Sequence, residues 1–340
     1  MTGVLTAVGP RWDSRVATTV ESSRELELTR RCADLADLLA AAAAGLGVVA
    51  IVSEDLRGLD LTVVSTLKGC GVEVLGASVP GDEGSERRLR QLGVTVVVPA
   101  DAGSAELIEA VVAVATRAAA GLSGGGLTQG DEDSAVSAGG SAPVAPPAFP
   151  PAPDTEPPPP AQVIAVWGPT GAPGRTSLAV NLAAELALLG VATLLVDADT
   201  YGGSVAQVLS LLDEAPGVAA AARAAEQGTL DLPVLARLSP EVMLGLRVLT
   251  GIPRADRWPE LREAALERVF DVARLLARVV VVDCGFSLED DEELSYDTQA
   301  PRRNAATLTS LAASDTVIAI GACDPVGLQR LVGGCRSSAP

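Results

Sequence analysis

The chain has 340 residues, a formal net charge of −18 and no histidine. The length favours two domains, and the missing histidine excludes His-based catalysis and His-ligated metal sites. The acidic balance argues against non-specific binding to nucleic acid, which requires a basic surface.

The sequence contains no apolar run of 18 or more residues and no basic segment followed by an apolar core at its start. We therefore expect neither a transmembrane segment nor a signal peptide. Its five cysteines show no metal-binding spacing. An odd number of free thiols is typical of a reducing cytosol, so a cytoplasmic location is predicted.

Strands and helices alternate five times over residues 1–120. Strands are predicted over residues 4–9, 25–29, 47–53, 72–79 and 94–99, and helices over 11–22, 33–44, 61–69, 85–92 and 105–119. This alternation predicts a parallel sheet covered by helices on both faces.

The order of these elements is similar to that of a response-regulator receiver domain. Receivers carry acidic residues after the first strand and a Lys after the fifth, whereas these strands end in Gly9 and Pro99. Glu54 and Asp55, the acidic pair near the end of the third strand, are expected in a solvated loop. The resemblance implies a pseudo-receiver that serves for docking.

Residues 121–161 are rich in Gly and Ser, then acidic, then rich in Pro. Such a composition cannot bury enough apolar surface to fold, so we predict a disordered linker that lets the two halves move independently. A Pro-rich ligand for a partner domain is the alternative. Residues 162–340 then form the second predicted domain.

A Gly-rich loop connects a predicted strand over residues 163–168 to a predicted helix over 175–189. The phosphate-binding P-loop reads G-x-x-x-x-G-K-[ST]. Gly174 and Thr176 occupy motif positions, but Arg175 replaces the Lys and Pro169 replaces the first Gly. Backbone N–H groups at the start of a helix can still face a phosphate.

Acidic residues end two further predicted strands of this domain. Asp197 and Asp199 close a strand over residues 191–199, and Asp283 lies near the end of an apolar strand over 277–285. Ligands of parallel sheets bind at the carboxyl ends of strands, so these side chains and the loop should converge on one edge. A fourth strand is predicted over 315–321.

These motifs resemble the MinD/ParA group of P-loop ATPases with deviant Walker A loops. With the pseudo-receiver and the linker, the chain resembles the CpaE-like branch. The match is strongest over residues 163–203 and extends to about residue 331. In this group a signature Lys crosses to the partner's nucleotide, and its position here is Thr170.

The resemblance implies roles for the remaining residues. Asp199 and Arg175 would be catalytic, with Asp199 positioning the attacking water. Magnesium would be held by Thr176, Asp197 and Asp283, partly through water. The nucleotide would contact the loop and the start of its helix through Gly171, Gly174, Arg175, Thr176, Ser177 and Asn181. Arg302 and Arg303 are expected to be surface charges, and the alternative is that they reach phosphate or a partner.

The sequence thus predicts two doubly wound α/β domains, receiver-like and P-loop NTPase-like, the second incomplete at its C-terminus. The resemblance implies an ATP- and Mg²⁺-binding factor for pilus or secretion assembly, septum placement or chromosome partitioning. It would act as an ATP-dependent homodimer with protein partners, which would recruit it to the membrane or pole. The alternative is a hydrolysis-dead scaffold that binds partners through its pseudo-receiver. A P-loop kinase or amide-forming enzyme is a weaker alternative.

The predicted linker can be tested by limited proteolysis of the full chain. We expect the first cuts within residues 121–161, because exposed, unstructured segments are preferred cleavage sites. Mass spectrometry of early fragments locates these cuts. First cleavage within residues 163–199 would contradict the domain boundary.

Overall fold

The computed structural model describes residues 1–123, 161–211, 217–290 and 301–337. Residues 124–160 of the predicted linker lie outside these ranges. The described part of the chain contains no helix that is both long enough and apolar enough to cross a membrane.

The first unit is a five-stranded parallel sheet in the order β2-β1-β3-β4-β5. This is the strand order of flavodoxin-like folds, including receiver domains, and it confirms the predicted alternation. The elements are β1 Thr2–Ala7, α1 Pro10–Glu21, β2 Leu26–Arg31, α2 Leu35–Ala43, β3 Val49–Ser53, α3 Leu61–Gly69, β4 Glu73–Ser78, α4 Glu83–Gln91, β5 Val96–Pro99 and α5 Ser104–Ser123.

Local sequence explains where the helices of this unit begin. The Asp34, Asp60 and Asp82 carboxylates each accept a hydrogen bond from a backbone N–H in the first turn of α2, α3 and α4. Such N-caps satisfy donors that a helix leaves without internal partners. The central strand β3 is buried along its whole length, as expected for a strand covered on both faces.

The second unit is a six-stranded sheet in the order β11-β6-β10-β7-β9-β8, with only β8 antiparallel to its neighbour. The elements are β6 Gln162–Trp167, α6 Arg175–Leu188, β7 Thr193–Ala198, α7 Val205–Val208, α8 Gly217–Glu226, α9 Leu232–Leu238, β8 Glu241–Met243, β9 Leu246–Leu249, a 3-10 helix Ala255–Glu260, α10 Glu263–Leu276, β10 Val279–Cys284, α11 Ala305–Ala312, β11 Thr316–Ala319 and α12 Pro325–Ser337.

The four strands predicted for this unit are confirmed as β6, β7, β10 and β11. The sequence did not predict α7, α8, α9 or β8. The Ala-rich helix α8 packs on α10 over one face of the sheet, and its buried side chains belong to the same core cluster as Phe270. The two units contact each other where α3 meets α8 and α10.

Candidate nucleotide site

The loop between β6 and α6 has the strand–loop–helix arrangement predicted for phosphate binding. Gly171 and Gly174 have φ values of +82° and +84°, in the left-handed region that favours glycine. Gly174 is the N-cap of α6, so the first N–H groups of that helix follow it directly. Gly168 lies against β11, where a Cβ would come within 2.5 Å of the Ile320 carbonyl oxygen.

Arg175, the residue that replaces the P-loop lysine, ties the start of the loop to β7. Its Nη1 donates to the carbonyl oxygens of Gly168 and Pro169 at 3.2 and 3.5 Å. Its Nη2 lies 3.7 Å from a carboxylate oxygen of Asp199. Nε is buried without a hydrogen-bond partner. The guanidinium therefore bridges two of the segments that meet at this edge.

The predicted convergence of the carboxylates is confirmed by the strand register. Asp283 of β10 is paired directly with Asp197 of β7, and both residues are 1% exposed. Asp197 accepts hydrogen bonds from the backbone N–H groups of Asp199 and Val205, at 3.2 and 3.1 Å. Neither oxygen of Asp283 has a hydrogen-bond partner of normal geometry.

Burial and mutual repulsion disfavour ionisation of this pair. Burial is the largest cause that raises the pKa of Asp197 to about 7, followed by the charge of Asp283. Burial likewise raises the pKa of Asp283 to about 6, although the nearby Thr176 side chain acts in the opposite direction. Two carboxyl groups this close and this dry favour either protonation or a cation that offsets their charge.

Asp199 organises the chain that follows β7. One of its oxygens accepts hydrogen bonds from the backbone N–H groups of Tyr201 and Gly202, at 2.8 and 3.2 Å. The Tyr201 ring lies 4.5 Å from that of Phe286, after β10, and its hydroxyl donates to Asn304 at 2.8 Å. The segments after the two aspartate-bearing strands are thus joined by side chains.

Arg303 is half-buried and held by neighbouring residues, which differs from the favoured expectation of a surface charge. Its guanidinium donates to the Thr200 hydroxyl and carbonyl at 2.8 and 3.2 Å. It also lies over the rings of Tyr201 and Trp258, at 3.8 and 5.5 Å. These partners come from distant parts of the chain, so the local sequence gives no sign of them. Arg302 pairs with Asp290 in an exposed position, as expected.

Other residues singled out from the sequence lie at the rim. Ser177 and Asn181 are exposed, and the Asn181 amide donates to the Ser177 carbonyl at 2.6 Å. The Thr170 carbonyl accepts a hydrogen bond from Arg330 of α12 at 3.1 Å. A cavity of about 410 Å³ separates Thr170 from the segment around Phe286. The sequence did not predict a role for Arg330.

The residues at the site suit a magnesium ion that is bound with phosphate. Mg²⁺ keeps several waters and uses one or two carboxylates together with substrate phosphates. Asp283 offers two buried oxygens without partners, and the Thr176 side chain lies beside it. In the described ranges, no group of three or more Asp, Glu or Cys side chains is arranged to hold a metal ion without other ligands.

Comparisons with known proteins find similar folds but no close relative. No family model matches the chain, and no curated protein matches its sequence. A ParA family ATPase from Chlorobium tepidum is 17% identical with a TM-score of 0.44, covering 53% of this chain and 70% of its own. MinD from Pyrococcus horikoshii, solved with Mg-ADP, is 16% identical with a TM-score of 0.39, covering 52% of this chain and 65% of its own.

The solved structures that match the chain also include a receiver domain. The receiver domain of the response regulator NarL from Mycobacterium tuberculosis is 20% identical with a TM-score of 0.31, covering 34% of this chain and 96% of that domain. The similar structures therefore include the ParA/MinD ATPases that the sequence resembles, and a receiver domain. At these identities and TM-scores the similarity assigns no function to this chain, and the CpaE-like branch stays a prediction.

The unpaired carboxylate of Asp283 predicts a stabilising substitution. Its pKa is raised in the folded chain from 3.8 to about 6, so stability is lost as the pH rises through that interval. Asp283→Asn should lack this loss and unfold at a higher temperature than the unsubstituted protein at pH 8 without Mg²⁺. The gain in the free energy of unfolding should be on the order of 2 kcal/mol at pH 8. It should vanish near pH 4, and thermal unfolding at both pH values measures it.

Asp315→Asn is the matched control of opposite sign. Arg274 and the Val163 N–H lower the pKa of Asp315, so its charged form stabilises the fold at neutral pH and this contribution is lost as the pH falls. The variant should therefore be less stable at pH 8. A destabilised Asp283→Asn at pH 8 would contradict the account of an unpaired buried charge.

Proposed function

We propose that the second unit binds MgATP and that the chain is a ParA/MinD-like, nucleotide-dependent localisation or partitioning factor. The observation that carries the proposal is the meeting of the glycine loop, Arg175, Asp199 and Asp283 at one sheet edge, with both Asp283 oxygens buried and without partners. Burying such a group is costly unless a ligand completes its environment.

The glycines, Thr176 and the three aspartates each have a role in this proposal. Gly171 and Gly174 allow the loop to curve so that backbone N–H groups can face phosphate oxygens. Thr176 and Asp283 would hold Mg²⁺, with Asp197 behind them. Bound Mg²⁺ would offset the negative charge of the phosphates. Asp199 would accept a hydrogen bond from the attacking water.

The cellular role rests on the resemblance to the ParA/MinD group. An ATP-dependent homodimer would form a timed switch that separates after hydrolysis, and protein partners would recruit it from the cytoplasm to the membrane or a pole. Pilus or secretion assembly, septum placement and chromosome partitioning are the candidate processes. The CpaE-like combination of a pseudo-receiver with an ATPase unit belongs to this proposal.

Titration with a fluorescent ATP analogue tests the proposed binding. The full chain should bind it more tightly with Mg²⁺ than with EDTA. Thr176→Val should weaken the Mg²⁺-dependent part by about 10-fold or more, the order found when groups around a bound metal are altered. Thr229→Val is the control, because that hydroxyl only donates to the Ala224 carbonyl within its own segment. Equal affinity with and without Mg²⁺ would contradict the proposed site.

A hydrolysis-dead scaffold is the second candidate, and the loop itself favours it. Thr170 stands where the family has its signature Lys, and Arg175 is engaged by Gly168, Pro169 and Asp199. Arg and Lys differ in size and geometry at tight phosphate sites. On this reading nucleotide binding is weak, turnover is negligible, and the receiver-like unit binds the partners.

Introducing lysines at positions 170 and 175 distinguishes a nucleotide-dependent ATPase from a hydrolysis-dead scaffold. Thr170→Lys with Arg175→Lys should raise ATP hydrolysis, by roughly 10³-fold or more if the crossing cation acts as an arginine finger does. Phosphate release is the measurement, and adding Asp199→Ala should abolish the gain. Thr170→Met with Arg175→Lys is the control that lacks the crossing cation. An unsubstituted chain as active as the rebuilt one would contradict this account of the loop.

A further inference from the structure

The receiver-like unit contacts the P-loop unit through α3. The Thr62 hydroxyl lies within hydrogen-bond distance of both carboxylate oxygens of Glu226, at 2.9 and 3.0 Å. Burial raises the pKa of Glu226, and the Thr62 hydroxyl opposes that shift. Beside this contact, Leu61 packs against the core of the second unit. The C-terminal end of α8 is therefore held by the other unit.

A second contact comes from the end of α4. Arg88 Nε donates to the Gln227 carbonyl at 3.3 Å, while its Nη1 pairs with Glu54 at 3.3 Å. Gly228 has a φ of +63°, and a Cβ there would come within 2.8 Å of Leu92. The chain just after α8 is thus fitted closely to the first unit, through both polar and apolar atoms.

The other end of α8 lies next to the candidate nucleotide site. The Gly217 N–H donates to the Thr250 hydroxyl, and the Val218 N–H to the Thr250 carbonyl, both at 2.9 Å. The next residue, Gly251, packs so closely on Asp197 that a Cβ would come within 2.5 Å of its carboxyl carbon. The ten-residue helix α8 therefore connects the contact with the first unit to Thr250 and Gly251. These two residues form a wall behind Asp197.

We propose that the receiver-like unit is a built-in partner of the P-loop unit, which docks through α3 and α4 and thereby holds α8 and the Thr250–Gly251 wall in place behind Asp197. The docking surface formed by α3 and α4 is then covered by the second unit of the same chain. The coupling rests on the proposed function in one respect, because Thr250 and Gly251 border the proposed nucleotide site. The docking of the two units does not depend on whether nucleotide binds. The expectation that the halves move independently does not fit these contacts.

Hydrogen exchange on the full chain tests the docking. Thr62→Val removes the hydroxyl and keeps the shape, so the partly buried Glu226 loses the hydrogen bond from that hydroxyl and keeps only its contact with the Thr62 backbone and the charge of Arg262. Losing a hydrogen bond to a charged group should shift docking about 10-fold or more toward the open form. Amides of α8 and of the segment 193–199 should exchange faster by a similar factor. Thr66→Val is the matched control, because its hydroxyl donates to a carbonyl of α3 itself.

A second variant should disturb the docking more strongly than Thr62→Val does. Leu61→Asp places a charge against the apolar core and should both open the units, seen as a larger radius of gyration by X-ray scattering, and speed exchange at α8. Unchanged exchange and radius in both variants would overturn the proposal. Faster exchange at α8 with an unchanged segment 193–199 would overturn it as well. A chain that binds no nucleotide but shows both changes would support the docking and refute only the proposed function.

Discussion

The structure of the second unit depends on how it accommodates two carboxylates that are buried side by side on neighbouring strands. Asp197 and Asp283 are in register near the carboxyl ends of two central strands, and both are buried, so charge is poorly solvated and repulsion is strong. Asp197 has two backbone donors, but Asp283 has none of normal geometry. Stability alone would favour apolar residues there, and the proposed nucleotide site gives a reason for their presence.

The surroundings of the pair follow from this constraint. Gly203 and Gly251 both approach the Asp197 side chain so closely that a Cβ would come within 3.0 and 2.5 Å of it. Arg175 is the cation that reaches this edge from the loop, and it meets Asp199 rather than the buried pair. Backbone from two glycines therefore packs directly against the Asp197 carboxylate.

The sequence predicted the parts of the fold that depend on local patterns. Apolar runs gave the strands, Gly174 gave the start of α6, and aspartates at strand ends gave the site, because parallel topology brings such ends together. Long-range partners were not predictable in this way. Arg303 is bound to Thr200 and stacked on Tyr201 only because the chain returns there. The docking of Thr62 on Glu226 likewise joins residues 164 positions apart.

The replacement of lysine by Arg175 changes what can release the loop. A guanidinium presents five N–H donors in a planar fork, whereas an ammonium is a compact point charge. Arg175 uses that fork to contact two backbone carbonyls and the Asp199 carboxylate at once. An incoming anion would open this bridge by offering the guanidinium better acceptors than the two carbonyls. At this loop, the oxygens of an incoming phosphate would compete with the protein's own oxygens for the N–H groups of Arg175.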